Sequence, residues 1–226
     1  MSSSDRLDIA VLSHESDSPV GFFGSWAAER GHVVQVIDVP TDGALPPLDE
    51  QGLVVTLGSK SSVHASTEPW LQAELNYLRE AEPAGVPVLG ICFGSQILAA
   101  ARGGSVEPAA ITEPGWQEIA SSDPDLVPAG PWLCWHDDVF TVPPGAVELA
   151  RDGAGALAFR SGSDVGLQFH PEVERAVVAH WIEIAAGRLS ESDLSRLREE
   201  LRVTAPRARA LAFDLFDRLS SLWLKA

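Results

Sequence analysis

Short apolar runs alternate with helix-like stretches through the first hundred residues, and this alternation limits the possible folds more than any other feature of the sequence. The runs have the length and composition of buried strands, and the longer stretches between them have the spacing of amphipathic helices. The apolar runs are residues 7–12, 33–39, 53–57 and 86–92, and the helical stretches are residues 21–30, 69–81 and 95–101. This order predicts an α/β fold with a largely parallel central sheet flanked by helices on both faces.

The second half of the chain predicts antiparallel strands and a helical end. Residues 109–144 carry three tryptophans among several prolines, which favours short antiparallel strands and irregular loops. Three short strands and a helix are then expected over residues 147–150, 156–159, 165–169 and 176–186. After Ser190 the leucines take helical spacing, and those expected on one face are Leu211, Leu215, Leu219 and Leu222. We expect C-terminal helices over residues 189–226 that pack on the domain formed by residues 1–188.

The charge balance argues against two classes of partner. The chain has 16 Lys and Arg residues against 32 Asp and Glu, a net charge of −16 that repels phosphate backbones and anionic lipid surfaces. No apolar run approaches the roughly 18–20 residues that span a bilayer, so we expect neither nucleic-acid binding nor membrane association. The first residues lack the pattern of a signal peptide, and two cysteines do not make a disulfide scaffold. A cytoplasmic location is therefore expected, and the oligomeric state is left open.

Neither a cofactor nor a metal site is expected. The sequence contains no GxxxxGK[ST] motif and no GxGxxG motif that opens a helix. Cys134 has no CxxC partner, and we interpret it as a small core residue. The histidines without a spacing suited to a metal site are His14, His32, His64 and His180.

The motif GICFG, residues 90–94, lies where the fourth apolar run meets a helix. A nucleophile at such a junction has a cramped backbone, so the positions two before and two after it must be small. Gly90 and Gly94 satisfy this requirement around Cys92. The following helix favours a thiolate through its dipole, and the Phe93 N–H points to where an oxyanion would form. The alternative is a buried structural cysteine in a glycine-flanked turn.

A second motif, GLQFHPE, spans residues 166–172. Side chains two apart on an extended segment face the same way, so Glu172 can lie beside His170 and orient its ring. His170 could then accept the Cys92 proton and return it to a leaving amine. A single histidine at a strand end is more often structural, but its combination with the cysteine motif favours catalysis.

Four segments together resemble the class I, or triad-type, glutamine amidotransferase family. They are GICFGSQ (90–96), EPGW (113–116), WHDDVF (135–140) and GLQFHPE (166–172). The resemblance covers about residues 7–186 and is to the stand-alone branch that is similar to the glutaminase domain of GMP synthase. It implies a catalytic domain with flavodoxin-like layering and a triad of Cys92, His170 and Glu172. This triad would hydrolyse a γ-glutamyl amide through a thioester, without a cofactor.

The resemblance also implies an oxyanion hole and a substrate site. The backbone N–H groups of Gly58 and Phe93 would form the oxyanion hole. The residues that would hold the amino-acid end of the substrate are Gln96, His136, Asp137, Asp138 and Val139. The family often has Gly-Gly-Pro after the third strand, whereas this chain has Gly58-Ser59-Lys60, and loss of the second glycine restricts the backbone there. We interpret Lys60 as a solvated loop residue rather than a substrate contact.

Three functions remain open at this point. The first is a glutamine amidohydrolase that supplies ammonia to a separate acceptor synthetase subunit. The second is a γ-glutamyl peptidase or γ-glutamylamine hydrolase, which would use the same triad on a substituted amide. The third is a binding module with an inactive pocket. An α/β-hydrolase is disfavoured because its acid would precede its histidine, whereas Glu172 follows His170.

Overall fold

The structure, a computed structural model, describes residues 6–110, 113–153 and 155–224. The elements of its first half are β1 (Asp8–Ser13), α1 (Gly21–Glu29), β2 (Val33–Asp38), α2 (Val39–Asp42), β3 (Leu53–Thr56), α3 (Pro69–Ala84), β4 (Val88–Ile91) and α4 (Phe93–Ala101). Five short strands follow: β5 (Val106–Pro108), β6 (Gly115–Gln117), β7 (Ala120–Ser121), β8 (Trp132–Cys134) and β9 (Asp138–Phe140). The remaining elements are β10 (Val147–Arg151), β11 (Ala156–Ser161), β12 (Asp164–Leu167), α5 (Arg175–Ile184) and α6 (Glu191–Ser220).

The central sheet is mostly parallel, as the sequence predicts. Its strand order is β2-β1-β3-β4-β12-β11-β10-β7, and the pairs from β2 to β12 are parallel. The pairs from β12 to β7 are antiparallel. Two small antiparallel sheets, β5 with β9 and β6 with β8, form the irregular part of the chain. Residues 111–112 of that segment and residues 225–226 of the predicted extension lie outside the described residues.

Helices cover both faces of this sheet because successive strand residues point to opposite sides. Ile9 and Val11 of β1 pack with α1 and α6, whereas Ala10 and Leu12 pack with α3 and α4. A third apolar cluster joins α5 to the first half of α6 through Trp181. In the described part of the chain, no helix has both the length and the apolar character needed to cross a bilayer.

The C-terminal helix α6 completes the core on one face. Its Phe216 is fully buried and packs edge-to-face on Phe23, with 5.1 Å between ring centroids. The Trp26 indole N–H of α1 donates to Asp217 at 2.8 Å. Of the predicted leucine stripe, Leu215 and Leu219 are buried, while Leu211 and Leu222 are half-buried against the same cluster. The division of the chain at residue 188 stays a prediction.

The parallel strand order brings three chain segments to one edge of the sheet. β3, β4 and β12 are neighbours, so the residues that follow their carboxyl ends lie side by side. These residues are Gly58, Cys92 and His170. In open α/β sheets, ligands bind at this edge.

The burial of Phe216 predicts a large stability difference between two positions of α6. Phe216→Ala should lower the free energy of unfolding by about 3–5 kcal/mol, because it leaves a cavity between α1 and α6. Val203→Ala is the matched control, since Val203 is 52% exposed on the same helix, and its effect should stay within about 0.5 kcal/mol. Urea unfolding followed by tryptophan fluorescence measures both. Equal midpoints for the two variants would contradict the packing.

Candidate active site

Cys92 lies in a sharp turn between β4 and α4. Its φ of 54° makes it the one positive-φ residue other than glycine among those described, and its ψ is −111°. A backbone in such a sparsely populated region costs on the order of 1–3 kcal/mol, so the surroundings must hold it. The Cys92 N–H donates to the Leu167 carbonyl of β12 at 2.7 Å, which helps to fix the turn.

The two flanking glycines are required by close backbone contacts, as the motif predicts. A Cβ at Gly90 would lie 2.3 Å from the Gly94 carbonyl oxygen. A Cβ at Gly94 would lie 2.0 Å from the Thr56 carbonyl oxygen of β3. Any side chain at either position would push α4 away from the sheet and displace Cys92.

His170 and Glu172 form a buried pair beside Cys92. The His170 Nδ1 lies 2.7 Å from Glu172 Oε1, and the two residues are 5% and 2% exposed. The backbone holds both of them: the His170 N–H donates to the Leu133 carbonyl, and the Glu172 carbonyl accepts from the Phe22 N–H at the start of α1. The spacing of two residues therefore places the carboxylate beside the ring, as the sequence predicts.

The surroundings of His170 favour its charged form. Burial lowers the pKa of His170, but the charges of Glu172 and Cys92 and the hydrogen bonds to both side chains raise it well above its ordinary value. With Nδ1 facing Glu172, the second ring nitrogen is left for the thiol. The edge-to-face contact with Trp181, at 5.1 Å between centroids, holds the ring plane. This arrangement suits proton exchange between the Cys92 sulfur and the imidazole.

Two backbone N–H groups near Cys92 are available to a ligand. Phe93 is the first residue of α4, where N–H groups have no partner within the helix. Gly58 follows β3, and a Cβ placed on it would lie 3.5 Å from His170 Cε1. Neither N–H donates a hydrogen bond to any residue that the structure describes. Both predicted oxyanion donors thus lie at the same edge as the thiol.

The predicted substrate residues meet in part around the Asp138 carbonyl. The Gln96 amide donates to this carbonyl at 3.0 Å and to Gln168 Oε1 at 3.3 Å. His136 Nδ1 lies 3.0 Å from the same carbonyl, and burial lowers the pKa of His136. Gln96, His136 and Asp138 are therefore brought together.

The other two predicted substrate residues are placed differently. Asp137 points outward with a side chain that is 72% exposed, and it pairs with Arg188 at 3.3 Å. Val139 is half-buried in β9. The structure therefore does not bring Asp137 into the group around the Asp138 carbonyl.

Lys60 and Cys134 are each engaged by a neighbouring side chain. Lys60 is exposed, but its ammonium donates to Asp17 Oδ2 at 2.7 Å, and this hydrogen bond raises the pKa of Lys60. It is therefore tied to the loop after β1 rather than free in solvent. Cys134 is buried, and burial raises the pKa of its thiol to about 12, which agrees with a core residue.

Sequence reasoning missed a buried polar cluster next to the site. It consists of His14 at the end of β1, Thr56 at the end of β3, and Glu74 on α3. The available signal was Glu74 itself, because it occupies the apolar face of α3 between Leu71 and Leu78. A carboxylate at such a position needs a buried partner.

Comparison with known proteins gives a consistent match. The sequence model of the family described as "Glutamine amidotransferase class-I" matches residues 27–180. The GMP synthase [glutamine-hydrolyzing] of Thermobifida fusca is 31% identical over 193 residues, which cover 75% of this chain and 35% of that protein. That of Prochlorococcus marinus is 34% identical over 139 residues, 57% of this chain and 25% of that protein. The chain thus spans about a quarter to a third of the length of these curated relatives.

Solved structures agree with the fold. A glutamine amidotransferase from Thermotoga maritima superposes with a TM-score of 0.83 at 28% identity, covering 95% of this chain and 97% of that one. A glutamine amido transferase from Methylobacillus flagellatus superposes with a TM-score of 0.87 at 24% identity, covering 96% and 95%. The second likeness bears on the fold alone.

The contact of Gly94 with β3 predicts a selective loss of Cys92 reactivity. Gly94→Ala should slow alkylation of Cys92 by iodoacetamide about 10- to 100-fold, because the displaced turn separates the thiol from His170. Gly153→Ala is the control, since a Cβ there meets nothing within 4 Å, and its rate should match wild type. Mass spectrometry of the Cys92 peptide over time gives both rates. An unchanged rate in Gly94→Ala would show that the contact does not hold the turn.

Proposed function

Because the chain belongs to the class-I glutamine amidotransferase family, we propose that it hydrolyses the γ-amide of glutamine to glutamate and ammonia, with Cys92 as nucleophile. The observation that carries the proposal is the buried His170–Glu172 pair at 2.7 Å beside a cysteine held at positive φ. A thiol, a base and an orienting carboxylate in this arrangement suit acyl transfer.

The first half of the reaction forms a thioester. The Cys92 sulfur attacks the γ-carbonyl carbon, and the carbonyl oxygen becomes an oxyanion. The Phe93 and Gly58 N–H groups donate to this oxyanion, which is where charge develops in the transition state. His170 then gives its proton to the amide nitrogen, the C–N bond breaks, and ammonia leaves.

The second half returns the enzyme to its starting state. His170, now neutral, takes a proton from water while the water oxygen attacks the thioester carbon. The C–S bond breaks, the electron pair returns to sulfur, and glutamate is released after its new carboxyl group ionises. Glu172 keeps the His170 ring oriented and stabilises its charged form through both steps.

The amino-acid end of the substrate is assigned to the group around the Asp138 carbonyl. The Gln96 side-chain nitrogen is already engaged by Asp138 and Gln168, so its oxygen is the atom that would accept a bond from the substrate ammonium group. His136, Asp138 and Val139 would shape the wall of this site. Asp137, which faces outward, would contribute through its backbone.

The released ammonia would serve an acceptor synthetase. Curated relatives of the chain are glutamine-hydrolyzing GMP synthases, and the chain matches only a part of the length of each of them. We therefore assign an acceptor synthetase subunit as the partner class. A γ-glutamyl peptide or γ-glutamylamine as substrate would need no such partner and is the alternative outcome of the experiment that follows.

Replacement of each cysteine tests the nucleophile. Cys92→Ser should reduce ammonia release from glutamine by about 10⁴-fold, because a serine hydroxyl is a far weaker nucleophile than a cysteine thiol at the same position. Cys134→Ser is the matched control and should keep close to wild-type activity, since Cys134 is a buried thiol with a raised pKa. Ammonia from glutamine and amine release from a panel of γ-glutamyl peptides are measured side by side. Activity retained in Cys92→Ser would refute the mechanism. Turnover of the γ-glutamyl peptides but not of glutamine would mean that the peptides are the substrate.

The His170–Glu172 pair also predicts the pH dependence. Glu172 raises the pKa of His170, so the imidazolium is present below that raised pKa and is lost as the pH rises through it. Glu172→Gln removes this charge, and the basic limb of the kcat/KM profile should move down by about 1–3 pH units. The profile of each protein from pH 5 to 10 gives the shift. A basic limb in the same place for both proteins would mean that Glu172 does not set the charge of His170.

A further inference from the structure

A fully buried polar cluster lies behind the segment that begins at Gly58. The side chains of His14 and Glu74 are both 0% exposed, and His14 Nε2 lies 2.7 Å from Glu74 Oε2. The Thr56 hydroxyl donates to the other Glu74 oxygen at 2.6 Å. A buried ionisable pair carries a desolvation cost that apolar residues of the same volume would avoid. The cluster therefore calls for a reason other than stability.

His14 touches both residues whose N–H groups would bind the oxyanion. Its Nδ1 lies 3.4 Å from the Gly58 carbonyl oxygen. Its ring packs edge-to-face on the Phe93 ring, with 5.0 Å between centroids, and Trp70 covers it at 5.1 Å. One imidazole thus contacts the end of β3 and the start of α4 together.

Gly58 needs such a contact because a glycine does not hold its own backbone dihedrals. The side-chain interactions further along this segment do not involve Gly58. The Lys60 N–H donates to Glu15, and Asp138 pairs with His64 and accepts from the Ser62 hydroxyl. The hydrogen bond that reaches Gly58 itself from a side chain comes from His14. Rotation of the Gly58 carbonyl would therefore be opposed at this ring, while the preceding Leu57 N–H is held by the Leu12 carbonyl at 3.0 Å.

The hydrogen-bond roles are fixed by the acceptors. The Gly58 carbonyl can only accept, so a hydrogen bond between it and His14 requires the tautomer with a proton on Nδ1. On the other side of the ring, the 2.7 Å between Nε2 and Glu74 Oε2 is a hydrogen-bond distance. The Thr56 hydroxyl then fixes the carboxyl group from its other side. Each member of the cluster orients the next, and the chain of bonds ends on Gly58.

We propose that His14, held by Glu74 and Thr56, is a positioning residue that fixes Gly58 in the orientation from which its N–H binds the oxyanion. This proposal rests on the proposed hydrolysis. It assigns no proton transfer to His14, which acts through the backbone of Gly58.

The experiment measures kcat and KM of variants of the full chain. Glutamine is the substrate, or a γ-glutamyl peptide if wild type turns over only the peptide. His14→Leu should lower kcat about 10- to 100-fold and change KM by less than about threefold, since the lost interaction is made in the transition state. His14→Asn, whose side-chain amide can still donate to the Gly58 carbonyl, should recover most of this loss. Glu74→Gln keeps the shape of the cluster and should lower kcat in the same direction, by about tenfold.

Two further measurements separate positioning from general damage. Tyr77→Phe is the matched control and should leave kcat unchanged. It removes a buried hydroxyl from α3, the helix that carries Glu74, and this hydroxyl has no hydrogen-bond partner among the described residues. Alkylation of Cys92 by iodoacetamide forms no oxyanion, so its rate in His14→Leu should equal that of wild type.

Each possible outcome decides the proposal. An unchanged kcat in His14→Leu, or in Glu74→Gln if His14→Leu does not fold, overturns it. So does an equal loss of alkylation and turnover, which would mean that the variant disturbs Cys92 itself. Wild-type protein that hydrolyses no γ-glutamyl amide overturns the proposed function and this inference with it, whereas wild-type turnover with unaffected variants overturns this inference alone.

Discussion

The contact between the first turn of α4 and the end of β3 is the constraint on which the rest of the site depends. Gly94 sits so close to the Thr56 carbonyl that no side chain fits between them, and this approach forces Cys92 into its positive φ. The same approach places the Phe93 N–H beside the segment that carries Gly58. The strained backbone of Cys92 and the positions of the two predicted oxyanion donors therefore depend on one backbone-to-backbone contact, which the core behind α4 maintains.

Two buried histidine–carboxylate pairs lie at this edge of the sheet, and they differ in what their second ring nitrogen faces. In the pair of His170 and Glu172 it faces a thiol, which suits transfer of a proton. In the pair of His14 and Glu74 it faces a backbone carbonyl, which suits holding a position. A histidine–carboxylate pair can thus suit either proton transfer or the positioning of a backbone segment. The group that faces the second ring nitrogen decides between the two.

Structural features that depend on residues close together in the sequence could be predicted from the sequence. Apolar runs gave the parallel strands, small residues around Cys92 gave the turn, and a spacing of two residues gave the pair of His170 and Glu172. The cluster of His14, Thr56 and Glu74 could not be predicted because three separate elements supply it. Adjacent aspartates at positions 137 and 138 could not be told apart, since the start of β9 decides which of them faces inward. Pro206 would be expected to end a helix, yet α6 continues through it because tertiary packing on both halves outweighs one lost hydrogen bond.

The pairing of α1 with α6 has a consequence for the order in which the protein folds. Trp26 and Asp217, which share a hydrogen bond, are 191 positions apart in the chain. During synthesis at about 5–20 residues per second, the apolar side of α1 waits roughly 10–40 s for its partner to leave the ribosome. The cluster on the opposite side of the sheet is formed by α3 and α4 together with residues of β9 and β11, and all of these elements precede α6 in the chain. The nascent chain can therefore complete one face of the sheet before the other, and the apolar side of α1 stays exposed until α6 is made, the interval in which a chaperone would matter most.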